Sequence, residues 1–175
     1  MIYNEKKDIL LDLVDQSPDG LVVEIGCIRY ASEMSSEGFS TFYLAKYCHV
    51  NGRVFRSFDN ILDHVELANS ILKERGLPES VVCKDGLYAL EELRDGAIGF
   101  LYLDSSDNPV DTLNQYHAAK DKLVHGSIIL IDDAHTYWAG EYGKATYLIN
   151  ELGLENVELV DVGQSYRSCI VRKGI

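Results

Sequence analysis

Five apolar runs of strand length, each ending in or just before an acid, constrain this chain more than any other feature. Leu21–Gly26 carries Glu24, Arg53–Phe58 leads into Asp59, and Val81–Cys83 is followed by Asp85. Ile98–Leu103 runs into Asp104, and Ser127–Ile131 into the pair Asp132–Asp133. Helical patterns separate them. Ile9, Leu10, Leu13 and Val14 share one face of a helix over Glu5–Asp15, and a second helix opens at Gly38-Phe39-Ser40-Thr41 and runs to about Tyr47. Further helices are expected over Asp63–Arg75, Tyr88–Leu93, Val110–Leu123 and Glu141–Leu152. Gly76 reads as the C-cap of the first of these, and Asn108-Pro109 as the N-cap and first residue of the third. Strands alternating with helices predict a doubly wound parallel sheet covered on both faces. The last two strands, Val157–Val162 and Ser168–Arg172, have no helix between them and predict an antiparallel edge.

The chain has 175 residues, enough for one domain with a substantial core, and no linker or repeat divides it. A single domain over 1–175 is expected. The net charge of −12 makes nucleic acid and anionic membrane poor partners. No apolar run approaches the roughly 20 residues a membrane helix needs, and Met1–Leu10 lacks the apolar stretch of a signal peptide. Cys27, Cys48, Cys83 and Cys169 show neither a C-x-x-C pair nor zinc spacing, and read as reduced thiols of a cytoplasmic protein.

Ligands of open α/β sheets bind beyond the C-terminal ends of the strands, so the acids there are the candidate site. Gly26 lets backbone approach a ligand. Asp59 lies 21 residues past Gly38, near the spacing expected of a carboxylate that takes ribose hydroxyls. A tight turn and a helix cap would explain the same two residues. Neither a compact G-x-G-x-x-G nor a G-K-[ST] phosphate loop is present, which speaks against dinucleotides and nucleoside triphosphates.

Val23-Glu24-Ile25-Gly26 followed by Gly38-Phe39-Ser40-Thr41-Phe42-Tyr43-Leu44-Ala45 resembles the first motif of class I methyltransferases. Asp59 matches their ribose-binding acid, and Asp85-Gly86 their adenine-flanking loop. Leu101–Asp104 together with Leu123–Asp133 is similar to the metal-dependent O-methyltransferases of the catechol/caffeoyl-CoA and macrocin branches. The resemblance spans roughly Leu21 to Arg172 and implies a Rossmann-like, mostly parallel seven-stranded sheet. It also implies S-adenosylmethionine as cofactor, contacted by Glu24, Gly26, Cys27, Ser40, Asp59, Asn60, Asp85, Gly86 and Asp104. A sulfonium cofactor needs no phosphate cradle and tolerates acidic walls. By the same resemblance Asp104, Asp132 and Asp133 would hold a divalent cation such as Mg²⁺, whose preference for hard oxygen ligands agrees with three carboxylates. Such an ion would lower the pKa of an acceptor hydroxyl on a small molecule. Asp132–Asp133 could equally cap a helix, or orient an acceptor without metal.

Two departures from the family stand out. Cys27 to Glu37 separates the two glycines by eleven residues where about three to five are usual, which suggests a lid or an acceptor loop, with Arg29 a partner for the methionine carboxylate or a member of a surface salt bridge. Asp107 stands where the catechol branch carries a catalytic lysine. His135 is then the nearest candidate base, beside Asp104 and Asp132 as catalytic residues, although an idle exposed histidine fits as well. Tyr102, Tyr137 and Trp138 could wall a planar acceptor or simply pack. The acceptor site is open, covered by the 27–37 loop, or completed by a second subunit in a homodimer. A metal-free methyltransferase, a cofactor-binding protein without turnover, and a nucleotide-binding oxidoreductase remain the alternatives.

Overall fold

The computed structural model describes residues 3, 5–32, 39–134, 141–162 and 166–174. Its elements run α1 (Lys6–Gln16), β1 (Leu21–Ile25), α2 (Ser40–Asn51), β2 (Phe55–Asp59), α3 (Leu62–Glu74), β3 (Val81–Cys83) and α4 (Gly86–Glu92). They continue with β4 (Ile98–Leu103), α5 (Pro109–Ala119), β5 (Leu123–Ile131), a 3₁₀ turn at Gly143–Ala145 leading into α6 (Thr146–Leu152), β6 (Val157–Val162) and β7 (Tyr166–Arg172). The seven strands form one sheet in the order β3-β2-β1-β4-β5-β7-β6. The first five are parallel, and β7 runs antiparallel to both β5 and β6. The closing strand is therefore inserted one place in from the edge, and β6 is the edge strand.

Alternation of side chains along the strands builds two apolar layers. Phe100, Tyr102, Ile128 and Leu130 point to the layer under α1, α2 and α3, with Ile9, Leu10, Leu44 and Leu72. Leu101, Leu103, Ile129 and Ile131 point to the layer under α4, α5 and α6, with Leu90, Ala119 and Leu148. All six residues of β4 are buried, as expected of a central strand covered on both faces. Each large side chain so buried contributes roughly 1.5–3 kcal/mol relative to exposure.

Local signals set the helix ends. The Asn108 side chain accepts the Val110 N–H at 3.1 Å, with Pro109 in the first turn of α5. Gly76, with φ of +70°, closes α3 one residue beyond its cap Arg75, its N–H donating to the Lys73 carbonyl at 3.0 Å. The expected helix over Val110–Leu123 ends at Ala119, and β5 begins at Leu123 rather than Ser127. The reason is pairing: the Ala97 and Ile98 N–H groups donate to the Lys122 carbonyl, which brings Leu123 into register with Ile98. Among the described residues no helix is long and apolar enough to cross a membrane.

Candidate functional site

Strand order reverses between β1 and β4, which leaves a crevice beyond their C-terminal ends. A cavity of about 620 Å³ occupies it, a size suited to a small-molecule ligand. Six of the expected cofactor residues line it: Gly26, Asp59, Asn60, Asp85, Gly86 and Asp104. Arg29 lines it as well.

Two glycines make the crevice possible. Gly26 adopts φ of +95°, and a Cβ there would lie 2.6 Å from the Asp104 carbonyl oxygen. At Gly86 a Cβ would lie 2.2 Å from Ile25 Cγ2, so only glycine lets α4 sit against the end of β1. Asp85 caps that helix, its Oδ1 accepting the Leu87 and Tyr88 N–H groups at 2.9 and 3.3 Å. Asp59, at the end of β2, accepts the Cys27 N–H on Oδ2 at 3.3 Å and the Ile61 N–H on Oδ1 at 2.8 Å. His64 Nδ1 lies 3.5 Å from Asp59 Oδ1. Cys27 thus holds Asp59 from behind and does not itself line the cavity.

Glu24 and Ser40 also lie behind the cavity wall. Glu24 is fully buried and accepts the Ser40 hydroxyl at 2.6 Å and the Ser57 hydroxyl at 2.7 Å. Burial pushes its pKa up to about 7, against the lowering effect of those hydroxyls. Ser57 was not expected from sequence; its signal is a lone small hydroxyl within an aromatic strand, in register with Glu24. Sequence also offered no hint of the apolar rim, where Ile61 is 47% and Tyr88 61% exposed, both lining the cavity. Large exposed apolar groups at the mouth of a polar crevice offer faces to a planar ring.

Beyond the ends of β4 and β5, Asp104, Asp132 and Asp133 converge as expected, each offering an oxygen within 4.8 Å of the others. Two lysines meet them. Lys144 Nζ lies 2.9 Å from Asp104 Oδ1 and 3.8 Å from Asp133 Oδ2, and Lys6 Nζ pairs with Asp132 Oδ2. The Tyr102 hydroxyl donates to Asp132 Oδ2 at 3.0 Å. Burial works to lower the pKa of both lysines, but the facing carboxylates more than offset it and hold the ammonium forms. Burial and the same acids raise the Tyr102 phenol well above its ordinary value. Asp133 takes φ of +49°, strained for a residue with a side chain, which turns the chain sharply after β5. Neither lysine was foreseen. Lys6 nevertheless precedes Ile9, Leu10 and Leu13 by three, four and seven residues, so it extends the buried stripe of α1. Asp107 is exposed and does not line the cavity. His135, Tyr137 and Trp138, and residues 33–38 of the long loop, lie outside the described residues.

The donor set matches a hard cation by type, and Asp132 Oδ1 is buried with no hydrogen-bond partner among the described residues. The Lys144 ammonium already lies between Asp104 and Asp133, and Lys6 occupies Asp132 Oδ2, so the residues as arranged do not fit that ion.

The family model described as "Methyltransferase domain" matches residues 35–134. That is more than half of the chain, and the chain belongs to this methyltransferase-domain family. A comparison with curated proteins finds no match. Solved structures of the same fold include the cofactor-bound protein Rv0187 from MTB, 20% identical with a TM-score of 0.69, the alignment covering 97% of this chain and 80% of that one. The O-methyltransferase TomG from Streptomyces achromogenes, solved with SAM, is 17% identical with a TM-score of 0.67 and the same coverage. An O-methyltransferase from Bacillus cereus, solved with SAH, is 16% identical with a TM-score of 0.64, covering 96% of this chain and 80% of that one.

Proposed function

We propose that this chain transfers a methyl group from S-adenosylmethionine to a hydroxyl of a small molecule. The observation that carries the cofactor half is Asp59, fixed by the Cys27 and Ile61 N–H groups at the wall of a crevice bounded by Gly26, Gly86 and Asp104. A carboxylate so held is a ready acceptor for two ribose hydroxyls. Ile61 and Tyr88 would flank the adenine, and Asp104 faces the reacting end. When bound, S-adenosylmethionine supplies an electrophilic methyl carbon on a sulfonium. The chain's own residues then have two tasks: to align the acceptor oxygen with that carbon, and to surround a cationic ligand with carboxylates.

The choice of a hydroxyl rests on the fold shared with O-methyltransferases and on Asp104, which lines the cavity and is held from behind by Lys144. Lys6 and Lys144 pair with the carboxylates that a divalent ion would need. That arrangement favours the metal-free form of the reaction over the metal-assisted one.

Calorimetric titration with S-adenosylmethionine, S-adenosylhomocysteine and NAD tests the cofactor, with saturable binding expected for the first two. Methyl transfer from labelled donor to a panel of small phenols and alcohols tests the acceptor. Tight NAD binding with no response to the methyl donor would overturn the reading, and transfer to amines alone would overturn the hydroxyl.

A further inference from the structure

The cluster at the ends of β4 and β5 has the oxygen donors of a cation site and already holds cations. We propose that Lys6 and Lys144 are its resident cations, standing where a divalent ion would bridge Asp104, Asp132 and Asp133, so that this chain binds no metal there. The proposal deepens the methyl-transfer reading, since it sets the charge at the acceptor end. Its test is independent of that reading.

Geometry carries it first. Lys144 bridges Asp104 and Asp133 at 2.9 and 3.8 Å, and Lys6 pairs with Asp132 on the oxygen that also takes the Tyr102 hydroxyl. The second argument is charge. Three carboxylates face two ammonium groups, which leaves one negative charge; a divalent ion would reverse its sign and stand against two cations in a poorly solvated place. The third is burial. The Lys144 side chain is 3% exposed and that of Lys6 10%. Both are anchored by packed elements, Lys6 by α1 through Ile9, Leu10 and Leu13, and Lys144 by the buried turn Gly143–Ala145. A magnesium ion, with its octahedral shell of oxygens and waters, would have to displace the Lys144 ammonium that bridges Asp104 and Asp133.

The experiment is a titration of the full chain, stripped with chelator and dialysed, with Mn²⁺ and Mg²⁺, followed by calorimetry and by melting temperature. The wild type is expected to give no saturable heat and no shift in melting temperature. The Lys144→Met variant, relieved of one ammonium, is expected to gain saturable Mn²⁺ binding and an upward shift on adding Mn²⁺. Adding Asp104→Asn to it should abolish both. Wild-type binding of one Mn²⁺ that Asp104→Asn removes would overturn the proposal. So would a Lys144→Met variant that melts cooperatively yet takes up no Mn²⁺. Should that variant fail to fold, Lys6→Met goes through the same titration, and the wild-type result decides by itself. Binding of S-adenosylmethionine is measured separately on the same protein, so its failure would count against the methyl-transfer reading and leave the metal result standing.

Discussion

At the end of β2, the Asp59 carboxylate receives one backbone N–H on each oxygen, so its orientation is set before any ligand arrives. Hydrogen bonds to a charged group contribute about 1.5–3 kcal/mol each. With even one such bond lost, Asp59→Ala should raise the Kd for S-adenosylmethionine at least about 10-fold, read by calorimetry. Asp107→Ala, at an exposed position outside the cavity, should leave it unchanged. Equal affinities for the two variants would remove Asp59 from the site. Gly86 acts by the absence of a side chain. A methyl group there would meet Ile25 Cγ2 at 2.2 Å and force α4 away from β1. Such overpacking costs about 1–3 kcal/mol, so Gly86→Ala should lower the melting temperature by roughly 2–10 °C. A thermal melt indistinguishable from wild type would show that α4 yields without cost.

Between elements, one buried carboxylate ties three together: Glu24 on β1 takes hydroxyls from Ser57 on β2 and from Ser40, the first residue of α2. Its pKa is pushed up to about 7 from 4.5, chiefly by burial, so the folded chain holds this proton more tightly than the unfolded one. The folded state binds the extra proton between those two values, and linkage then requires stability to fall as pH rises through that window. Below pH 4.5 the group imposes no penalty; above about 7 the penalty is complete, at most about 3 kcal/mol. Glu24→Gln removes the titration while keeping the shape. The prediction concerns the difference between the two proteins in denaturant melts: the variant gains on the wild type as pH rises from about 5 to about 8. A difference that stays flat across that range would mean that the carboxylate is not held in the neutral form by burial.

Across the whole molecule, what could be read in the sequence was whatever is local. The apolar runs of β1, β3 and β4 identify themselves, and Asp59, Asp85 and Asp104 fall in one crevice because parallel strands present their C-terminal ends together. The start of β5 was hidden by His125 and Gly126, which interrupt its apolar run, since its pairing with β4 is a contact between distant segments. The lysines were hidden for the same reason: Lys144 meets Asp104 across 40 residues of sequence and Lys6 meets Asp132 across 126. The pairing of Lys6 with Asp132 makes the N-terminal helix part of the site rather than a cover over it, and a comparison of adjacent residues tests this. Lys6 and Lys7 are neighbours of identical chemistry, but Lys7 stands over the Tyr43 ring, where a cation contributes about 0.5–1 kcal/mol at an exposed site. Removing one partner of a buried pair strands the other charge, at a cost of about 3–5 kcal/mol. Lys6→Ala should therefore lower the melting temperature by on the order of 10 °C, and Lys7→Ala by far less. In an Asp132→Asn background the Lys6→Ala penalty should shrink to a small fraction of its wild-type value, because no stranded carboxylate remains. If Lys6→Ala costs as much in that background as in the wild type, the helix is held by its apolar face alone and the ion pair contributes nothing to the fold.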